Sequence, residues 1–191
     1  MFLDHALLVS DVMVALEIAS RRHGRVRLLT GQELPLPEKL RAQRQPFKWN
    51  VALKHRSKLG VIPDGAFVLE FSDKPRDRNR VLYFLEADCG TMPVKRGTLA
   101  QSSFHRKLLA YEATWLQEVH RRRFGFDRFR VLTVTTSAAR VASLVAACQQ
   151  LERGRGLFLF SDQAALARHD DILSLPFQTG HAGGTEVLRA D

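Results

Sequence analysis

Residues 61–71 and 80–87 are two runs rich in β-branched and aromatic side chains, and the segment between them reads Ser-Asp-Lys-Pro-Arg-Asp-Arg-Asn. Runs of that composition favour extended backbone, and a connection of charges, Asp, Asn and Pro is a turn. The simplest pairing is an antiparallel hairpin. Its end remote from the turn brings Asp64 and Glu86 level. Glu86 and Asp88 are two residues apart, so the period of a strand points both to one face. Three acids then converge at one strand-borne site.

The rest of the chain supplies layers for this hairpin. Leu8, Val12, Ala15, Leu16 and Ala19 recur at helical spacing, which predicts a helix over 6–23 with Ser10 and Asp11 as caps and Gly24 as its stop. A strand at 25–29, an irregular Pro-containing excursion at 33–46 and a strand at 47–53 follow. Phe104, Leu108, Tyr111, Trp115 and Val119 mark one long helix whose apolar face packs on the sheet, with Gly125 beyond its end. Strand 129–135, helix 137–153 and strand 157–160 form a right-handed βαβ crossover, and a short helix opens near Ser161 or Asp162. The expected fold is α/β, a central mixed sheet flanked by helices over 1–177, with a loosely ordered Gly-containing tail over 178–191.

Lysine and arginine outnumber aspartate and glutamate by 29 to 20, for a net charge of +9. That bias predicts a polyanionic partner. No run of about 18 apolar residues exists to enter a membrane, so DNA is the expected partner and the cytoplasm the expected compartment. Cys89 and Cys148 lie far apart in sequence, which suggests neither a disulfide framework nor a zinc site.

Metal-assisted phosphodiester hydrolysis needs carboxylate oxygens converging from rigid elements, because Mg²⁺ prefers oxygen ligands and retains waters. Asp64, Glu86 and Asp88 are placed for Mg²⁺ or Mn²⁺. The plainer reading is that these acids are solvated or paired with arginines. Basic segments at 54–58, 76–80 and 95–96 are expected to flank the acids and track phosphates, with Lys54, Arg56, Lys58, Lys95 and Arg96 as candidate DNA contacts. Arg121, Arg122 and Arg123 end a helix, where the dipole already favours them.

Pro63-Asp64, followed after a spacer by Glu86-Ala87-Asp88, resembles the PD-(D/E)xK pattern of the restriction-endonuclease-like superfamily. More segments in order, His5-Ala6-Leu7-Leu8-Val9-Ser10-Asp11-Val12, Pro63-Asp64-Gly65, Glu86-Ala87-Asp88-Cys89-Gly90-Thr91, Lys107-Leu108-Leu109-Ala110-Tyr111 and Val131-Leu132-Thr133-Val134-Thr135-Thr136, resemble the replication-relaxation family of plasmid and mobile-element proteins. The resemblance spans roughly residues 5–150. It implies a restriction-endonuclease-like core and metal-binding roles for Asp64 and Glu86, with the Ala87 carbonyl as a third ligand.

Asp88 departs from the superfamily's commonest form, which has a lysine there to orient water and neutralise charge. Lys107 is the candidate substitute. Lys107 and Tyr111, at i and i+4, resemble the QxxxY motif of recombination-type nucleases, and Tyr111 is a candidate DNA contact; their plain roles are a snorkelling lysine and a core aromatic. Glu17 is a further acid with a solvated default, and His5 matches the family pattern and has an approach to the site. The family usually carries an N-terminal winged helix, and no helix-turn-helix pattern is read before the first helix here, so a protein partner is expected to supply sequence specificity. Three functions follow: a DNA endonuclease or nickase whose catalytic residues are Asp64, Glu86, Asp88 and Lys107; a non-catalytic replication accessory protein on the same fold; and a module for an acidic protein partner.

Overall fold

The structure, a computed structural model, describes residues 2–53, 58–97 and 101–189. Helix α1 (Phe2–His23) leads into β1 (Val26–Leu29), the one-turn α2 (Glu38–Arg41), β2 (Trp49–Ala52), β3 (Lys58–Val61), β4 (Gly65–Phe71) and β5 (Arg80–Asp88). The chain continues through α3 (Phe104–Leu116), α4 (Val119–Phe124), β6 (Phe129–Thr135), α5 (Ala138–Cys148), β7 (Phe158–Asp162), α6 (Gln163–Arg168), β8 (Phe177–Thr179) and β9 (Thr185–Glu186).

Among the described residues, β1, β4, β5, β6, β7, β8 and β9 form a seven-stranded sheet in that spatial order, and β2 and β3 form a separate antiparallel pair. Strands β5, β6 and β7 are parallel neighbours. The other pairings are antiparallel. The architecture is therefore mixed α/β, and β6, α5 and β7 make the parallel crossover that the sequence predicts.

Strand β5 lies between two cores. Val81, Tyr83, Leu85 and Ala87 pack with Leu8, Val12, Leu16 and Ala19 of α1. Leu82 and Phe84 face the other way, toward α3, α4 and α5. Burial on both sides explains why the strand reads as a nearly unbroken apolar run rather than an alternation. Phe84 is fully buried within a ring cluster, 5.0 Å from Trp49 and 5.7 Å from Tyr111 between centroids. Glu86 and Asp88 continue the Phe84 side, so the period-two argument holds: one meets α3 and the other α5.

Several sequence expectations are corrected. Helix α1 begins at Phe2, so Ser10 and Asp11 lie in its middle and cap nothing. The run 61–71 is two strands in different sheets, because Pro63 has no N–H for a ladder and the chain turns there. The long helix is two: α3 stops at Leu116 and Glu118 adopts a left-handed φ of 51° before α4 starts. Trp115, expected on the buried stripe, is 37% exposed near the end of α3. The glycines near the C-terminus suggested a loose tail, but Phe177, Thr179 and Leu188 are buried and β9 pairs with β8, so residues 178–189 close the sheet edge.

The β4–β5 register runs from Gly65 opposite Leu85 to Glu70 opposite Arg80. Its turn therefore lies at the opposite end from Asp64 and Glu86, roughly 20 Å away at about 3.4 Å per residue. The basic segment 76–80 is at that turn and does not flank the acids. No described helix is long and apolar enough to cross a membrane.

Candidate functional site

Asp64 sits at the bend between β3 and β4. Its N–H donates to Leu85 O at 3.0 Å, and its Oδ2 accepts from the Ala87 N–H at 2.8 Å. These bonds lock the acid against the end of β5. His5 Nε2, from the first turns of α1, is 3.1 Å from the same oxygen, so the histidine does reach the site.

Glu86 is 2% exposed. The Lys107 ammonium donates to Oε2, and the Tyr111 hydroxyl donates to Oε1 at 2.5 Å. Both donors project from α3 one turn apart, and Ser103 caps that helix by accepting from Arg106 N at 3.3 Å. Burial pushes the Glu86 carboxyl up from its ordinary value; Lys107 pulls it down and the nearby Asp64 charge adds to the rise. Burial opposes charge on Lys107, yet the carboxylates of Glu86 and Asp64 hold its proton and raise it above the ordinary lysine value. Tyr111 is pushed well above its usual value by burial and then by Glu86. Both partners thus remain proton donors to one buried carboxyl group.

Asp88 is built differently. Arg140 Nε donates to Oδ2 at 2.7 Å and its NH2 nitrogen to Oδ1 at 3.1 Å, while the Thr135 hydroxyl lies 2.8 Å from Oδ2. Arg140 also donates to Met92 O at 2.5 Å. The ion pair is little exposed, 16% for Arg140 and 5% for Asp88. The arginine that neutralises Asp88 escaped the sequence reading. One signal for it existed: Arg140 is the third residue of a helix capped by Ser137, where the dipole disfavours a cation that has no acid partner.

The expected three-acid set does not stand together as a metal cage. Among the described residues, no group of three or more His, Cys, Asp or Glu side chains is arranged to hold an ion. Asp88 is committed to Arg140. Mg²⁺ commonly uses one or two carboxylates plus water and phosphate oxygens; Asp64 and Glu86 are the two acids left for it, and both Glu86 oxygens also accept bonds from Lys107 and Tyr111.

The remaining candidates are dispersed. Lys58 is exposed on β3, Lys95 Nζ donates to Gln150 Oε1 at 2.8 Å, and Arg96 Nε donates to Ser102 O at 3.1 Å. Lys54 and Arg56 lie outside the described residues. Tyr111 is 1% exposed, which leaves its ring no free face for a base. Glu17 pairs with Arg21 at 2.7 Å on the surface of α1. Arg123 bridges the main-chain oxygens of Pro46 and Lys48, a structural duty for that basic run.

A family model described as replication-relaxation matches residues 1–128, which include Asp64, Glu86, Asp88 and Lys107. No curated protein and no solved structure matches the chain.

Proposed function

Because the chain belongs to the replication-relaxation family, we propose that it acts on DNA in plasmid or mobile-element replication, as a Mg²⁺- or Mn²⁺-dependent endonuclease or nickase centred on Asp64 and Glu86. The observation that carries this reading is the Lys107 ammonium bonded to Glu86 beside Asp64. Two acids at the open end of a hairpin, with a lysine beside them, resemble the restriction-endonuclease-like superfamily, although the lysine comes from a helix rather than from position 88.

Each residue then has a chemical task. Asp64 and Glu86 would hold the ion, which supplies Lewis-acid stabilisation of the phosphate and a more acidic bound water. Lys107 orients the attacking water and offsets negative charge on the five-coordinate phosphorus. Tyr111 fixes the Glu86 rotamer, and His5 steadies Asp64. Arg140 removes the Asp88 charge that would otherwise repel the substrate. A protein partner supplies the choice of DNA site.

Supercoiled plasmid incubated with Mg²⁺ or Mn²⁺ tests the proposal. Conversion to open-circular or linear DNA, lost with EDTA and in Asp64→Ala and Glu86→Ala, is the expected result. Equal cleavage by both variants sinks it. The second reading, a non-catalytic DNA-binding accessory protein, is favoured by one observation: both oxygens of Glu86 already accept bonds within the protein. Plasmid that is retarded on a gel but never cut, in either metal, supports that alternative.

A further inference from the structure

A cleft of about 310 Å³ adjoins the acids on the side away from α1, between the β2–β3 pair and α3. It shares Glu86 and Lys107 with the hollow that contains Asp64 and His5. The two spaces therefore meet at the Lys107–Glu86 pair. Trp49 and Val61, both buried, back its apolar wall, and Ile62, 60% exposed, is the apolar side chain it presents to solvent. Lys48 and Arg106 add positive charge, and no carboxylate among the described residues is recorded in an ion pair with either.

We propose that this cleft binds one nucleotide of a single DNA strand, its base against the exposed Ile62 side chain above the buried Trp49 and Val61, and its phosphate at Lys48 and Arg106. The adjacent phosphate then reaches Lys107 and Glu86, so the assignment rests on the reading of Asp64 and Glu86 as the reactive acids. Three features select this occupant. Apolar surface beside unpaired cations matches a base joined to a phosphate, the combination used by single-strand grooves. The volume lies at the lower end of the roughly 300–1,000 Å³ typical of small-ligand sites, room for one nucleotide and not for stacked base pairs. Glu86 is recessed at 2% exposure, and a phosphate held in a regular duplex stays outside such a hollow, whereas a strand that has left its stack can enter. The substrate class is single-stranded, gapped or locally melted DNA.

Binding is measured apart from cleavage, by fluorescence anisotropy of a labelled oligonucleotide in EDTA, as the single strand and as the matching duplex. Single strand is expected to bind at least tenfold more tightly. The pair Lys48→Ala/Arg106→Ala should weaken single-strand binding about tenfold or more and lower the slope of log affinity against log salt by about 0.7, the value for one phosphate contact on a single strand. Trp115→Phe protein leaves Trp49 as its tryptophan, and its fluorescence should respond to a deoxynucleoside monophosphate, but only weakly when Lys48→Ala/Arg106→Ala is added. Arg78→Ala, which removes an exposed cation at the remote β4–β5 turn, serves as the comparison, with single-strand affinity kept. Equal or tighter duplex binding, or an unchanged salt slope in the double variant, overturns the assignment. Single-strand selectivity without metal-dependent cleavage of any DNA leaves the cleft in place and removes the nuclease reading; cleavage of plasmid without that selectivity does the reverse.

Discussion

Arg140 grips both carboxylate oxygens of Asp88, Nε to Oδ2 at 2.7 Å and its NH2 nitrogen to Oδ1 at 3.1 Å, across the interface between α5 and the end of β5. Two charges this deep gain from pairing mainly because each would otherwise be stranded. Asp88→Ala leaves a buried guanidinium without its acid and should cost about 3–5 kcal/mol, while Asp88→Leu combined with Arg140→Met should recover most of the loss. Urea denaturation of the parent, Asp88→Ala and the double variant measures both. A single variant as stable as the parent would show that the pair contributes nothing.

The same pairing separates the acids by role. If Asp88 is committed to Arg140, then Asp88→Asn should keep the metal dependence of cleavage, whereas Asp64→Asn should lose cleavage. Titration of activity with Mn²⁺ distinguishes them. An equal rightward shift for both variants would return Asp88 to the ligand set.

Lys107 and Tyr111 hold the two oxygens of one carboxylate, but their loss should be felt differently. Tyr111→Phe keeps the ring in its core position and removes a bond to a charged acceptor, a loss of about 1.5–3 kcal/mol in stability. Lys107→Ala removes the positive charge at the proposed reaction centre and should lower kcat by about 10²- to 10³-fold, with DNA affinity changed far less. Thermal unfolding in parallel with plasmid nicking resolves the two effects. A kcat unaffected by Lys107→Ala would leave the lysine a purely structural partner.

Acid stability has a local source in Asp171. Burial alone would raise its carboxyl, but the Ser174 hydroxyl at 2.5 Å, His23 Nε2 at 2.7 Å and Leu173 N–H at 3.0 Å hold it below the ordinary aspartate value. A carboxyl depressed in the folded state binds fewer protons there than when unfolded. Its contribution is therefore present above about pH 3.8 and is lost as pH falls through the lower folded value. Asp171→Asn should flatten the dependence of stability on pH in that acid window. Denaturation midpoints measured across the window provide the check.

The sequence carried the hairpin and the alignment of Asp64 with Glu86 because both rest on local periods and a strong turn signal. Lys107 was legible as a neighbour for the acids through its one-turn spacing from Tyr111. The Asp88–Arg140 pair was not, since it joins residues 52 apart and depends on how β6 and α5 dock beside β5. The expected DNA-facing Tyr111 failed for a similar reason: helical spacing gives a face but not which neighbours cover it. At Glu118, the left-handed turn that splits the long helix has no glycine to announce it. The open end and the turn end of the hairpin were distinguishable from the register alone, which is why the placement of the 76–80 charges beside the acids fails.

The C-terminal stretch offers a sharp test of whether it belongs to the packed structure. Gly180 has ordinary backbone, but a Cβ there would lie 2.4 Å from Cys148 Sγ and 2.5 Å from Arg155 O. The sulfur belongs to a fully buried side chain and the oxygen to the main chain, so neither yields as a flexible surface group does. Gly180→Ala should destabilise by about 1–3 kcal/mol through forced displacement. Gly183 is the contrasting site: nothing lies within 4 Å of an added Cβ, and its positive φ of 66° makes strain in the turn the sole cost. If β8 is held against α5 as the structure has it, Gly180→Ala lowers the thermal midpoint and speeds proteolysis of the edge strands, and Cys148→Ala, by removing the sulfur, returns part of the loss. A Gly180→Ala protein with the parent's midpoint would mean that β8 does not stand this close to α5 in solution.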